Sequence, residues 1–121
     1  MDRLKVHLMA GAMKHEALFP KATLDSQIRK VEEELKEAMT ADFKGEREHY
    51  FRELADVLIT CWGVYRFCPK TAYAIATTLF ANGMDSLFNE ANRKWEVNEK
   101  RTWIFNTKKG VYEHNGTDGN E

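Results

Sequence analysis

LDSQIRKVEEELKEA, residues 24–38, is the stretch on which the fold turns. Leu24, Ile28, Val31, Leu35 and Ala38 recur at intervals of three and four, the spacing of one face of an α-helix. Thr23 or Asp25 offers a capping oxygen at its start, and Gly45 breaks the pattern, so a helix is expected over about residues 24–42. The next apolar set, Phe51, Leu54, Ala55, Leu58 and Trp62, predicts a second helix over about residues 46–67. Its greater hydrophobicity places it at the centre of a helical bundle.

The rest of the chain extends this all-α reading. Leu4, Leu8, Met9, Ala12 and Met13 lie at helical offsets near the start. Pro69 is expected to interrupt the chain before KTAYAIATTLFA, residues 70–81, continues as helix. NGMD, 82–85, has the Asn and Gly of a helix end, and a further helix should open under Asp85 or Ser86. Short connections favour a bundle of four to five helices with antiparallel neighbours. WIFNTKKGVYEH, 103–114, has two short β-prone pieces around Asn106–Gly110, the pattern of a short hairpin. The polar end, NGTDGNE, is expected to be disordered. No internal repeat is visible.

Composition excludes several function classes. With 121 residues the chain is one ordinary domain, large enough to bury a core without disulfides. Lys and Arg total 18 against 19 for Asp and Glu, so no overall basic field suits a nucleic-acid backbone. No apolar stretch reaches membrane-spanning length and the N-terminus lacks the apolar core of a signal peptide, so a cytoplasmic protein is expected. Cys61 and Cys68 lack CxxC spacing and are expected to be buried free thiols. His7, His15, His49 and His114 share no metal-ligand spacing.

The acidic residues follow from the helices. Glu34 and Glu37 are neighbours on one helix surface, at the edge of the apolar stripe, and Glu53 and Asp56 flank Leu54, Ala55 and Leu58 on the next helix. A solvated face of good helix formers would account for the Glu32–Glu34 run alone; Glu53 and Asp56 within ELADVLI, 53–59, argue against it. Four carboxylates between two packed helices repel one another and lose hydration, so the arrangement calls for cations. All-oxygen donors select a hard divalent ion, Mg²⁺ or Mn²⁺.

VEEELKEA, 31–38, followed by ELADVLI after fifteen intervening residues between Glu37 and Glu53, resembles the metal-binding signature of the MazG-like all-α nucleoside triphosphate pyrophosphohydrolases. GMDSLFNEANRKWEVNEKRTW, 83–103, is similar to the last helix of that superfamily, whose Lys, Asn and Arg contact the nucleotide; here they would be Lys94, Asn98 and Arg101, with Trp103 beyond. FPKAT, 19–23, adds a weaker likeness. The segment between Asp56 and Lys94 is longer than the pattern suggests, as if helix were added around residues 68–78. On this resemblance residues 1–103 form the pyrophosphohydrolase domain and residues 104–121 the hairpin and tail.

The resemblance implies Mg²⁺-dependent hydrolysis of a nucleoside triphosphate, in particular a deoxynucleotide, to the monophosphate and pyrophosphate by a homodimer or homotetramer. Glu34, Glu37, Glu53 and Asp56 would hold the metal, and Lys94, Asn98, Arg101 and Trp103 would bind substrate. Glu33, a quarter-turn from the ligands, is the candidate to orient water, with Glu32 as competitor. Basic residues near a helix end also suit its dipole without any ligand. Trp62 and Trp95 are large enough to serve packing alone. Two alternatives stay open: a phosphoribosyl-ATP pyrophosphohydrolase with the same helical metal site, and a non-catalytic helical interaction protein with an acidic patch.

Overall fold

A computed structural model describes residues 2–80 and 83–114. Five helices, α1 (Arg3–Leu18), α2 (Leu24–Phe43), α3 (Arg47–Tyr65), α4 (Pro69–Thr77) and α5 (Met84–Lys100), precede a hairpin of β1 (Trp103–Asn106) and β2 (Val111–His114). The all-α bundle and its C-terminal hairpin agree with the sequence. The disordered tail expected at 115–121, and Asn82 of the expected helix end, lie outside the described residues.

Local chemistry sets the boundaries. Thr23, rather than Asp25, caps α2: its Oγ1 accepts from Ser26 N, and Ser26 Oγ accepts from Thr23 N in return. At the other end Gly45 adopts φ 73°, and Glu46 N donates to Ala41 O while Gly45 N donates to Asp42 O, the pairing of a Schellman motif. This turn sends α3 back along α2, bringing residue 27 beside 63 and residues 34 and 37 beside 56 and 53.

Pro69 interrupts the chain as expected, as the first residue of α4 after a three-residue turn from α3. One helix start differs from expectation. The last helix begins at Met84 under Gly83 (φ 94°), not under Asp85 or Ser86. Asp85 is drawn instead into an ion pair with Arg3 of α1.

The core forms around α3, whose Trp62 is fully buried against the fully buried Leu8 and Leu87. Trp95 of α5 sits 5.4 Å from the Trp62 ring, so both tryptophans serve the packing expected of them. A Cβ on Gly11 would stand 2.3 Å from the Trp62 ring, which is why α1 carries no side chain there. Cys61 is buried and its thiol is pushed up to about 12 by burial, as expected for an inert core cysteine. Cys68 is not buried: as the residue ahead of α4 it is partly exposed, with Sγ 2.9 Å from Thr71 Oγ1.

The hairpin pairs Trp103 with His114 and Asn106 with Val111. Asn106 Oδ1 accepts from Lys108 N and Lys109 N, and Gly110 takes φ 68° to close the loop. Its inner face docks on the end of α1, where Phe19 packs 4.9 Å from Tyr112, and Lys21 N donates to Tyr112 Oη at 2.9 Å. Among the described residues no helix is long and apolar enough to cross a membrane.

Candidate metal and nucleotide site

One carboxylate oxygen from each of Glu34, Glu37 and Glu53 lies within 4.8 Å of the others. The antiparallel α2/α3 hairpin produces this: residues three apart on each helix share a face, and the faces meet. Ligands about 2.0–2.6 Å from one hard cation stand no more than about 5 Å apart, so the three oxygens have the spacing of a common ion. Glu34 Oε2 and Glu53 Oε2 are buried without a hydrogen-bond partner. An orphaned buried carboxylate oxygen is costly unless a cation or proton satisfies it. Those two oxygens fit a hard divalent ion.

The electrostatics agree with the crowding. The Glu34 carboxyl is pushed up to about 9, by burial first and then by the charges of Asp56 and Glu37. Glu37 is also raised, chiefly by burial and by a hydrogen bond with Glu53. Without a cation, then, these groups share protons rather than ionise together. The other oxygen of Glu53 faces His49 Nε2 at 3.1 Å, one turn earlier on α3, which fixes the carboxylate's orientation.

The acids line one end of a cavity of about 350 Å³. Asp56 is on its wall but outside the close trio, because Lys94 Nζ sits 2.9 Å from Asp56 Oδ2. Lys94 itself is only 3% exposed and does not line the cavity. Lys94, expected at a phosphate, is paired with the wall carboxylate of Asp56. Glu33 is exposed and also off the cavity, since its direction on α2 leads to solvent, as does that of Glu32. Asn98, Arg101 and Trp103 all reach the cavity. Arg101 Nη1 donates to Asn98 Oδ1 at 3.3 Å, and Trp103 Nε1 donates to Asn98 O at 2.7 Å, so the three form one unit at the end of α5.

Several wall residues went unnoticed in the sequence. Gln27 and Lys30 occupy the cavity face of α2 two turns and one turn before Glu34, and helical spacing from Glu34 could have found them. Phe19, Tyr112 and His114 form an aromatic end with Trp103: Phe19 and Trp103 meet edge to face at 4.8 Å, and Trp103 and His114 at 5.2 Å. His15 joins them from α1. Their approach depends on the docking of the hairpin, for which no sequence spacing gives a signal. The cavity thus has an acidic end and an aromatic end, with Lys30, Asn98 and Arg101 also on its wall. No protein-family model matches this chain, no curated protein matches it, and no solved structure matches it.

Proposed function

We propose that this protein is a divalent-metal-dependent nucleoside triphosphate pyrophosphohydrolase of the MazG-like all-α type. The observation that carries the reading is the convergence of Glu34, Glu37 and Glu53, two with orphaned buried oxygens, at one end of a cavity whose far end is aromatic. A triphosphate needs charge neutralisation at one end of its site and a nucleobase needs a flat apolar surface at the other.

When bound by Glu34, Glu37 and Glu53, with Asp56 beside them, Mg²⁺ or Mn²⁺ would supply charge neutralisation for the phosphates and acidify water for attack. The chain's own groups do the positioning. His49 holds Glu53 at its Oε1, and Lys94 holds Asp56 at its Oδ2. Lys30 and Arg101, on the cavity wall, are cations placed to offset phosphate charge, and Asn98 offers an amide to sugar or phosphate oxygen. Glu33, exposed and off the wall, is given no part in orienting water.

The test is pyrophosphate release from a panel of ribo- and deoxynucleoside triphosphates and phosphoribosyl-ATP, with Mg²⁺ or with EDTA. Activity should require the metal, and Glu53→Gln should lower kcat by at least about a hundredfold while the fold survives. Undiminished turnover in EDTA, or in Glu53→Gln, would refute the reading.

A further inference from the structure

The base end of the cavity contains a chain of hydrogen bonds that runs from Arg66 through His15 to Gln27. Arg66 Nη1 lies 3.0 Å from His15 Nδ1 and donates to Phe19 O at 2.8 Å. A guanidinium has donors and no acceptor, so Nδ1 must accept and the ring proton must be on Nε2. Burial, and then the Arg66 charge, push the His15 imidazole down to about 3, consistent with a neutral ring of that one tautomer.

The Nε2–H has its own partner. His15 and Gln27 are hydrogen-bonded, and Gln27 Oε1 and His15 Nε2 converge over Gly63, where a Cβ would stand 2.2 Å from the first and 2.8 Å from the second. Since Nε2 donates, the atom it meets on Gln27 is the carbonyl oxygen. The amide NH₂ is then the part of Gln27 available to a ligand; its bond to Ser26 Oγ is long, at 3.5 Å, and so weak. Gln27 lines the cavity with Phe19, Trp103 and Tyr112.

We infer that the Arg66–His15–Gln27 chain fixes the Gln27 amide as a hydrogen-bond donor to the nucleobase, so that the site selects a base with a carbonyl, over one with an amino group, at the pyrimidine 4 or purine 6 position. Uracil and thymine (O4) and guanine (O6) carry the carbonyl there; cytosine (N4) and adenine (N6) carry the amino group. A donor facing a donor leaves two polar groups unpaired, which discriminates more strongly than a size difference does. Gln27 is the specificity-determining residue, and Arg66 and His15 are positioning residues. The inference deepens the triphosphate reading and rests on it.

The experiment measures kcat/KM for dUTP against dCTP and dGTP against dATP, with Mg²⁺, in the wild type, Gln27→Leu and Gln27→Glu. The wild type should favour the carbonyl-bearing member of each pair by at least about tenfold. Gln27→Leu should bring the ratios towards unity. Gln27→Glu, whose carboxylate can still accept from His15 Nε2 but offers no donor, should invert them. Turnover with no preference, or with a preference for the amino-bearing bases, would overturn the inference and leave the function standing. The ratios in the wild type decide this even if a variant fails to fold. Failure to hydrolyse any triphosphate would instead overturn the function, and this inference with it.

Discussion

Lys94 looks, in the sequence, like a residue offered to a phosphate, four positions before Asn98 and seven before Arg101 on a charged helix. The structure buries it and sets its ammonium 2.9 Å from the Asp56 carboxylate. Removing the ammonium takes away a counter-charge 2.9 Å from that carboxylate, beside Glu34, which already feels the Asp56 charge. Lys94→Met should therefore destabilise the metal-free protein by about 3 kcal/mol, as for loss of one partner of a buried pair. Adding Asp56→Asn should restore most of it, because the double variant holds neither charge. Urea denaturation measures both. If Lys94→Met unfolds within about 0.5 kcal/mol of the wild type, the pair does not organise the site. The carboxylates were legible because each pair lies on one helix, three residues apart. The pairing of Lys94 with Asp56 was not legible, because the two are thirty-eight positions apart, on helices whose mutual register only packing decides.

At the scale of elements, the helices were legible wherever apolar spacing and an end signal coincided. The Thr23–Ser26 capping box and Gly45 bound α2 closely, and ELADVLI sits in α3 as its pattern required. The start of α5 was misjudged because Asp85, a good cap by type, is taken by Arg3 of another element. The aromatic end of the cavity was the least legible part. It joins α1, α2, the end of α5 and β2, and the contact of Tyr112 with Lys21 N spans ninety-one positions. α1 also carries a second apolar stripe, Val6, Met9 and Met13, away from its buried Leu4, Leu8 and Ala12. On α2, Met39 and Phe43 are exposed one turn apart, Phe43 at 93%. Helix faces of this kind can cover themselves against the same face of a second copy about a two-fold axis. A homo-oligomer, at least a dimer, is the expected state. Light scattering that finds only the 14.1 kDa chain at micromolar concentration would exclude it.

For the whole molecule, the acidic cluster and the buried imidazoles make stability depend on pH in opposite directions. His7 is pushed down to about 4 and His15 to about 3, burial being the first cause for each. His7 Nε2 accepts from Trp62 Nε1 at 3.0 Å and His15 Nδ1 from Arg66, so protonating either ring in the folded protein breaks a contact. Below about pH 6.5 the unfolded chain binds protons at both rings and the folded one does not, so stability falls as pH drops. Glu34 has the opposite sign. Raised to about 9, it keeps a proton in the folded metal-free protein that the unfolded chain has lost above its ordinary value of 4.5. Its contribution is complete below that value and is lost as pH rises through 9. Near pH 6.5 the two unfolded imidazoles together bind about one proton, matching the one that folded Glu34 retains, so metal-free stability should peak at about that pH. Mg²⁺ held by Glu34, as proposed, would compete with that proton and not with the imidazoles. It should therefore remove the loss of stability on the alkaline side and leave the acid side unchanged. Thermal denaturation from pH 4 to 10, with Mg²⁺ and with EDTA, separates the two limbs. Profiles that coincide across the whole range would mean that the carboxylates of α2 and α3 hold protons and not a cation.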